Sequence, residues 1–397
     1  MKEMTLLSLR AIPISVWVLG FVSMLMDISS EMIHSLLPLF MVTTLGTSAL
    51  LVGFIEGLAQ STALIVKIFS GMLSDYLGKR KWLAVTGYAL GAFTKPVFAL
   101  ASSIELVFTA RLLDRVGKGI RGTPRDAMVA DLTPPELRGA AFGLRQSLDS
   151  IGAFVGPLLA VGLMLLWAND FRAVFWVAVI PGILSVLLLA FGISESDTCS
   201  TTKRTNPLVM ANLKRLNNQY WWVVCIGSVF TLARFSEAFL VLRAQDSSVP
   251  ITYIPLIIVL MNIIYALSAY PFGHLSDHIS RYKLLGYGLL MLICADIALA
   301  INGHWSVLLL GVVFWGLHMG LTQGILAALV ADVAPQDLRG TAFGFFNLAS
   351  GLTLLIASVI AGWLWDSFGA SATFLVGAGF CGVTLLLLSL NAKSGQN

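Results

Sequence analysis

The sequence predicts an all-α membrane protein of twelve transmembrane helices arranged as two pseudo-symmetric six-helix bundles. Three observations predict it: a charge-poor apolar composition, twelve runs of membrane-spanning length, and an internal duplication. Of 397 residues, 57% are hydrophobic and only 12% are charged, and the mean hydropathy is +0.86. A soluble domain usually carries about 25% charged residues. With half that charge the chain has no means of clothing a water-facing surface, so lipid must be its main solvent.

A helix needs ~20 mostly apolar residues to cross a bilayer. Such runs, broken at charged or Gly/Pro-rich joints, cover residues 14–44, 48–77, 82–101, 105–131, 138–167 and 171–193. A polar stretch from Ser194 to Gln219 follows, and six more runs cover 220–243, 250–277, 283–302, 305–332, 338–366 and 371–391. The expected organisation is a first bundle over 1–193, a central loop over 194–219 and a second bundle over 220–397. The first run carries Asp27 and Glu31 and is too long for the apolar core of a secretory signal, so no cleavable leader is expected.

Charge placement orients the spans. With the N-terminus in the cytoplasm, the inner segments hold fourteen lysines and arginines, among them Lys79, Arg80, Lys81, Arg138, Lys203 and Arg281. The outer loops hold only Arg172 and Arg243. The positive-inside rule then places both termini in the cytoplasm of a bacterial inner membrane. The basic residues are scattered between apolar runs and offer no nucleic-acid surface. The four cysteines are far apart without metal spacing, and no phosphate loop is present, so neither a metal, a cofactor nor direct ATP drive is expected. No nucleophile–base pair suggests an enzyme.

The duplication is carried by charged loops. Val129–Gly143 recurs as Val330–Gly344 with ten of fifteen positions identical, and Gly71–Lys81 recurs as Gly273–Lys283. Chance likeness between apolar helices would not preserve Pro-containing charged loops at nearly one offset, whereas a duplicated six-helix unit does so. Gly71–Lys81 (GMLSDYLGKRK) matches the G-x-L-x-D-x-x-G-[RK]-[RK]-[RK] loop between helices two and three of the major facilitator superfamily, which the whole chain resembles in its spans, repeat and central loop. The resemblance implies two bundles rocking about a central cavity in a protein that acts as a monomer. It assigns Gly71 and Asp75, with Gly78, Arg80, Asp131 and Arg138, to a conformational latch. A carboxylate at a helix end can bind helix N-termini or arginines, and Gly permits close approach. The plainer reading gives Lys79–Lys81 a topogenic role only.

Ionisable groups inside a span are costly and call for a reason. Nine basic residues lie in or near the spans, eight of them in the first half. In span four, Arg111, Asp114, Arg115, Lys118, Arg121 and Arg125 follow spacings of three and four and share one helical face. Its length, about 21 Å from Arg111 to Arg125, is too great for one membrane surface, so part of it is expected to line a watery cavity. Arg111 matches the family's helix-four arginine, although the family usually has Gln-Gly where this chain has Asp114-Arg115. Span one supplies opposite charge: Asp27 and Glu31 are one turn apart, with His34 a turn further. Two carboxylates in a low-dielectric site hinder one another's ionisation, so Asp27 or Glu31 is expected to load and release a proton, together with Arg111. A static salt bridge to the helix-four cations or Lys67 is the alternative. The expected substrate contacts are His34, Glu56, Gln60, Arg115, Lys118, Arg234, Glu237 and His318, the last three from the second half. Asp296 is read as an interhelical hydrogen-bonding residue.

Gly143, Gly152, Gly156 and Pro157 in span five reproduce G-x8-G-x3-G-P, a pattern that resembles the drug/proton antiporters of the superfamily. The chain departs from it at Ala160-Val161, where those proteins have Gly-Gly. The reading is a secondary transporter in the lipid bilayer that exchanges protons for a small anionic organic solute, such as a metabolite, a carboxylate siderophore or a drug, and exports it. Import by proton symport shares the same residues, and a non-transporting sensor or partner subunit is the alternative of another class.

Overall fold

The computed structural model describes residues 12–77, 80–134, 137–193, 216–275, 279–301, 304–335 and 338–394. Every described element is helical, as a bilayer requires, because a helix satisfies its own backbone hydrogen bonds. The helices are α1 (Ile14–His34), α2 (Ala49–Leu77), α3 (Arg80–Leu100), α4 (Ile104–Asp131), α5 (Arg138–Leu166) and α6 (Phe171–Gly192). After the central segment come α7 (Asn218–Ala233), α8 (Pro255–Leu275), α9 (Arg281–Ala300), α10 (Trp305–Val333), α11 (Arg339–Phe368) and α12 (Ala370–Ser394). Eleven spans among the described residues are long and apolar enough to cross a membrane. The remaining helix, α4, has the length, at 28 residues, but carries the charged stripe. Apolar side chains such as Phe93, Leu100, Phe191, Leu267 and Leu386 are exposed, a surface suited to lipid and not to water. The chain is thus an all-α, multi-pass membrane protein.

Local chemistry sets the helix limits. The Asp170 carboxylate accepts from the backbone N–H of Arg172 and Ala173 to start α6, and Asn217 accepts from Tyr220 N–H to start α7. Spans one and seven are interrupted, which the apolar pattern does not reveal. Helix α1 stops at His34 and resumes after Ser35 and Leu36 as Leu37–Leu39 and a π turn over Phe40–Thr44. Helix α7 stops at Ala233 and resumes after Arg234–Glu237 as Ala238–Asp246. There the Ser236 hydroxyl accepts from Ala238 N–H and so starts the second piece.

The chain divides into two compact units. The first comprises Met1–Leu37 and Thr62–Thr205, and the second comprises Pro38–Ser61 and Asn206–Asn397. Residues 194–215 of the expected central loop lie outside the described residues. The first half of α2 groups with the second unit for identifiable reasons. Asp366 on α11 accepts from the N–H groups of Ala49 and Leu50 at 3.0 and 2.8 Å, capping the start of α2. The Ser61 hydroxyl donates to Gly351 carbonyl at 2.5 Å. Gly362 has no room for a side chain, since a Cβ would come within 2.6 Å of Ala49 carbonyl oxygen.

In the first unit α1 packs on α5 and α6, and α3 packs on α4 and α6. Close approach of α3 and α4 rests on Gly87 and Gly117: a Cβ on either would stand 2.7–2.8 Å from backbone atoms of the other helix. This brings the Lys95 ammonium to 2.8 Å from Asp114, with both side chains buried. In the second unit α9 packs on α10 and α12, and α7 packs on α11 and α12. Ion pairs mark equivalent ends of the two units: Arg80 binds Asp131 and Arg281 binds Asp332.

Breaking one side of a buried pair strands the other charge, at about 3–5 kcal/mol, whereas an apolar pair of similar volume is close to neutral. Asp114→Ala is therefore expected to lower the melting temperature of the detergent-solubilised protein sharply, and K95M/D114L to recover only the part due to Lys95, because Arg111 and Arg115 also lose Asp114. Asp366→Ala removes an exposed cap and costs roughly 1 kcal/mol, seen as a small downward shift in the same melt.

Candidate functional site

The charged face of α4 and the two carboxylates of α1 meet in the first unit because three helices supply space where the charges lie. On α5, a Cβ at Gly152 would come within 2.9 Å of Asp27 Cβ, and one at Gly156 within 2.9 Å of Glu31 Cβ. The two glycines of the helix-five motif therefore seat α1 directly at its two acids. On α3, Gly91 leaves room for the Arg121 guanidinium, whose Nη1 would lie 2.9 Å from a Cβ there.

Asp114 is the centre of the inner cluster. Besides Lys95 at 2.8 Å, Arg115 Nε lies 3.5 Å and Arg111 Nη1 3.9 Å from its carboxylate, and all four side chains are buried. Lys95 Nζ also donates to the Ser30 hydroxyl at 3.1 Å, which ties the cluster to α1. Two turns along α4 from Asp114, Arg121 is buried over the Tyr88 ring at 4.9 Å from its centroid, a cation–π contact. Arg125 then binds Ser23 on α1, lies 3.1 Å from Asp126 and 3.8 Å from Asp149 on α5, and Arg145 joins them at 2.9 Å from Asp149 and 3.4 Å from Asp126.

The α1 side is more open. Glu31 and His34 pair at 3.4 Å with side-chain exposures of 18% and 17%, and Lys118 is exposed although it stands midway along α4. Glu31 lies in the electrostatic reach of Lys118 and Arg115, and Asp27 in that of Lys118, Arg121 and Arg125. Lys95, Arg111 and Arg115 lie by Asp114, and Arg115, Lys118 and Arg121 act on Asp27 or Glu31, so five cations are set against these three carboxylates. An excess of positive charge beside an open carboxylate pair suits an anion binding by charge-assisted hydrogen bonds.

The structure thus gathers Asp27, Glu31, His34, Arg111, Arg115 and Lys118. Arg111 and Arg115 stand deeper than the sequence suggests, held against Asp114. Ser30 and Tyr88 join them without having been singled out, and so does Lys95, one of the nine basic residues of the spans, to which the sequence assigns no role. A lone lysine in span three was the available signal, but its partner stands on another helix. In the second unit, Gln60 Nε2 donates to the Ser236 hydroxyl at 3.4 Å, beside Arg234 and Glu237 in the α7 interruption, while Glu56 is buried on α2. His318 is fully buried between α10 and α9, with Nδ1 2.9 Å from Gly288 carbonyl and its ring against Phe230. Of the latch residues, Gly71 faces Thr123, Arg80 binds Asp131, and Arg138 Nε donates to Ala130 carbonyl at 3.3 Å. Gly78 and the Asp75 side chain lie outside the described residues. A Cβ at Gly143 would meet nothing within 4 Å, and Pro157 lies inside α5.

Comparison with known proteins agrees with this architecture. The model of the Major Facilitator Superfamily matches residues 19–242 and 236–396. The chain is 34% identical over 385 residues to the uncharacterised MFS-type transporter MJ1317 of Methanocaldococcus jannaschii, covering 96% of this chain and 95% of that one. It is 26% identical over 362 residues to the multidrug resistance protein MdtH of Photorhabdus laumondii, covering 87% and 86%. A crystal structure of a variant of the nucleoside transporter NupG shares the fold, with a TM-score of 0.80 over 94% of this chain and 99% of that one at 13% identity. With eleven candidate spans among the described residues, the repeat and a match over nearly its whole length, the chain belongs to the Major Facilitator Superfamily and is a secondary transporter, not an enzyme.

Proposed function

We propose that this transporter is a proton-coupled antiporter that exports a small anionic organic solute, with both termini in the cytoplasm of the inner membrane. The observation that carries the proposal is the cationic surplus on α4 next to the open acids of α1. The solute's carboxylate or phosphate binds Lys118 and Arg115, while His34 and the opposite acids set its reach. Asp27 and Glu31 exchange protons, and loss of the proton from either adds a negative charge that competes with the anion for Lys118. Proton and solute thus exclude one another, which is the requirement of antiport. Lys95 and Asp114 hold Arg111 and Arg115 in place. The glycine pattern of α5 and the similarity to a multidrug resistance protein support the outward direction. Within the second unit, Gln60, Arg234 and Glu237 form a polar group of their own at the α7 interruption that offers the solute hydrogen bonds and charge. Gly71, Asp75, Gly78, Arg80, Asp131 and Arg138 serve the conformational latch.

The substrate class is tested by comparing organic anions in medium and cytoplasm of cells with and without the gene: a di- or tricarboxylate or organic phosphate is expected to accumulate inside when the gene is lost. In everted vesicles an inside-acid gradient is expected to fill the lumen with that anion, and emptying would show import instead. Asp27→Asn and Glu31→Gln are each expected to abolish gradient-driven uptake while leaving solute–solute exchange; loss of both activities together would make the acids structural. A charge-assisted hydrogen bond is worth about 1.5–3 kcal/mol, so Lys118→Ala should raise the KM by about tenfold or more without altering the melting temperature.

A further inference from the structure

The second unit repeats the α3–α4 packing with different side chains. The offset of 201 residues that relates Arg80 to Arg281 and Asp131 to Asp332 relates Lys95 to Asp296 and Asp114 to Trp315. Gly87, against Arg121, becomes Gly288, against Thr322, in the same register. Where the first unit pairs a cation with a carboxylate, the equivalent positions of the second hold a carboxyl group and an indole.

Asp296 is fully buried, and neither of its oxygens has a hydrogen-bond partner among the described residues. A Cβ on Gly377 of α12 would stand 2.9 Å from Asp296 Oδ2 and 3.2 Å from the Phe235 ring, so the carboxyl group lies against backbone and an aromatic edge. Phe235 belongs to the α7 interruption and packs on Trp315, Phe239 and Phe374 with ring centroids 5.4–5.8 Å apart. The Trp315 Nε1–H, also buried, has no acceptor among the described residues. Titratable groups on the surrounding elements are Cys381 on α12, His318 on α10, Tyr265 on α8, and Arg234 and Glu237 flanking the interruption. Cys381 lies in the electrostatic reach of Asp296, whereas Arg234 acts on His318 and Tyr265. No ion pair joins Asp296 to a cation among the described residues, and a charge buried without a partner or a hydrogen-bond donor is costly.

We propose that Asp296 is a proton-binding site of the second unit, which holds its proton in this packing and exchanges it with water when the α7 interruption rearranges around Phe235. On release, the carboxyl O–H bond breaks and the proton passes to a water molecule admitted at the interruption, leaving a carboxylate that the admitted water hydrates. Uptake reverses the step. The site goes beyond the first-unit reading and does not depend on it.

Infrared difference spectra of the full-length protein in phosphatidylcholine vesicles, taken between mildly acidic and alkaline media in light and heavy water, test this. The native protein is expected to show a protonated-carboxyl C=O band that fades reversibly as the medium turns alkaline and that is absent from Asp296→Asn, which has the shape of the protonated acid. The variant D27N/E31Q is expected to keep the band, so failure of the first-unit proposal leaves this result standing. A band unchanged in D296N, or one that persists across the whole alkaline range, overturns the proposal. Should D296N fail to fold, Asp296→Glu is expected to move the band, and an unmoved band overturns the proposal equally.

Discussion

A charge inside a membrane must be neutralised by a partner that the fold itself delivers, and Asp114 is where the first unit meets that demand. It stands among Lys95, Arg111 and Arg115 on two helices, within ion-pair distance of all three. The glycines at 87 and 117 exist in this light as the means of bringing α3 close enough for an ammonium to reach it. The cations left under-compensated then turn toward Asp27 and Glu31. One buried carboxylate therefore fixes both the packing of α3 on α4 and the surplus of positive charge that an anion can use.

Much of this was legible in the residues. The spans emerge from apolar run length, because a bilayer imposes one thickness on every helix. The stripe on α4 emerges from spacings of three and four, because a helix has one period. Pairing between helices was not legible: Lys95 and Asp114 are nineteen residues apart on separate elements, and only their packing matches them. The interruption after His34 is marked by Pro38, which has no N–H for the His34 carbonyl, whereas Arg234–Glu237 contain neither glycine nor proline and carry no such signal. The grouping of the start of α2 with the second unit depends on Asp366, more than three hundred residues away in sequence. Asp296 reads from sequence as a hydrogen-bonding residue and has no such bond among the described residues.

The two halves have diverged in chemistry while keeping their frame. The ion pairs Arg80–Asp131 and Arg281–Asp332 and the glycines at 87 and 288 hold equivalent places. Between them, the positions of Arg111, Arg115, Lys118 and Arg121 are filled in the repeat by Val312, Gly316, Met319 and Thr322. The first unit carries fixed charge, and the second has an aromatic cluster around the broken α7. A duplicated scaffold can divide labour in this way because the groups that hold helix ends lie apart from those in mid-span.

The seam between α1 and α5 has a mechanical consequence. Where Gly152 and Gly156 face Asp27 and Glu31, one surface has no side chains to lock into the grooves of the other. Two such rods adhere through close backbone contact, and their register is set nearby, where Leu148 of α5 fits the gap at Gly20 of α1. Helix α1 can pivot about that fixed point without any rotamer having to flip at the smooth stretch, carrying its two acids with it.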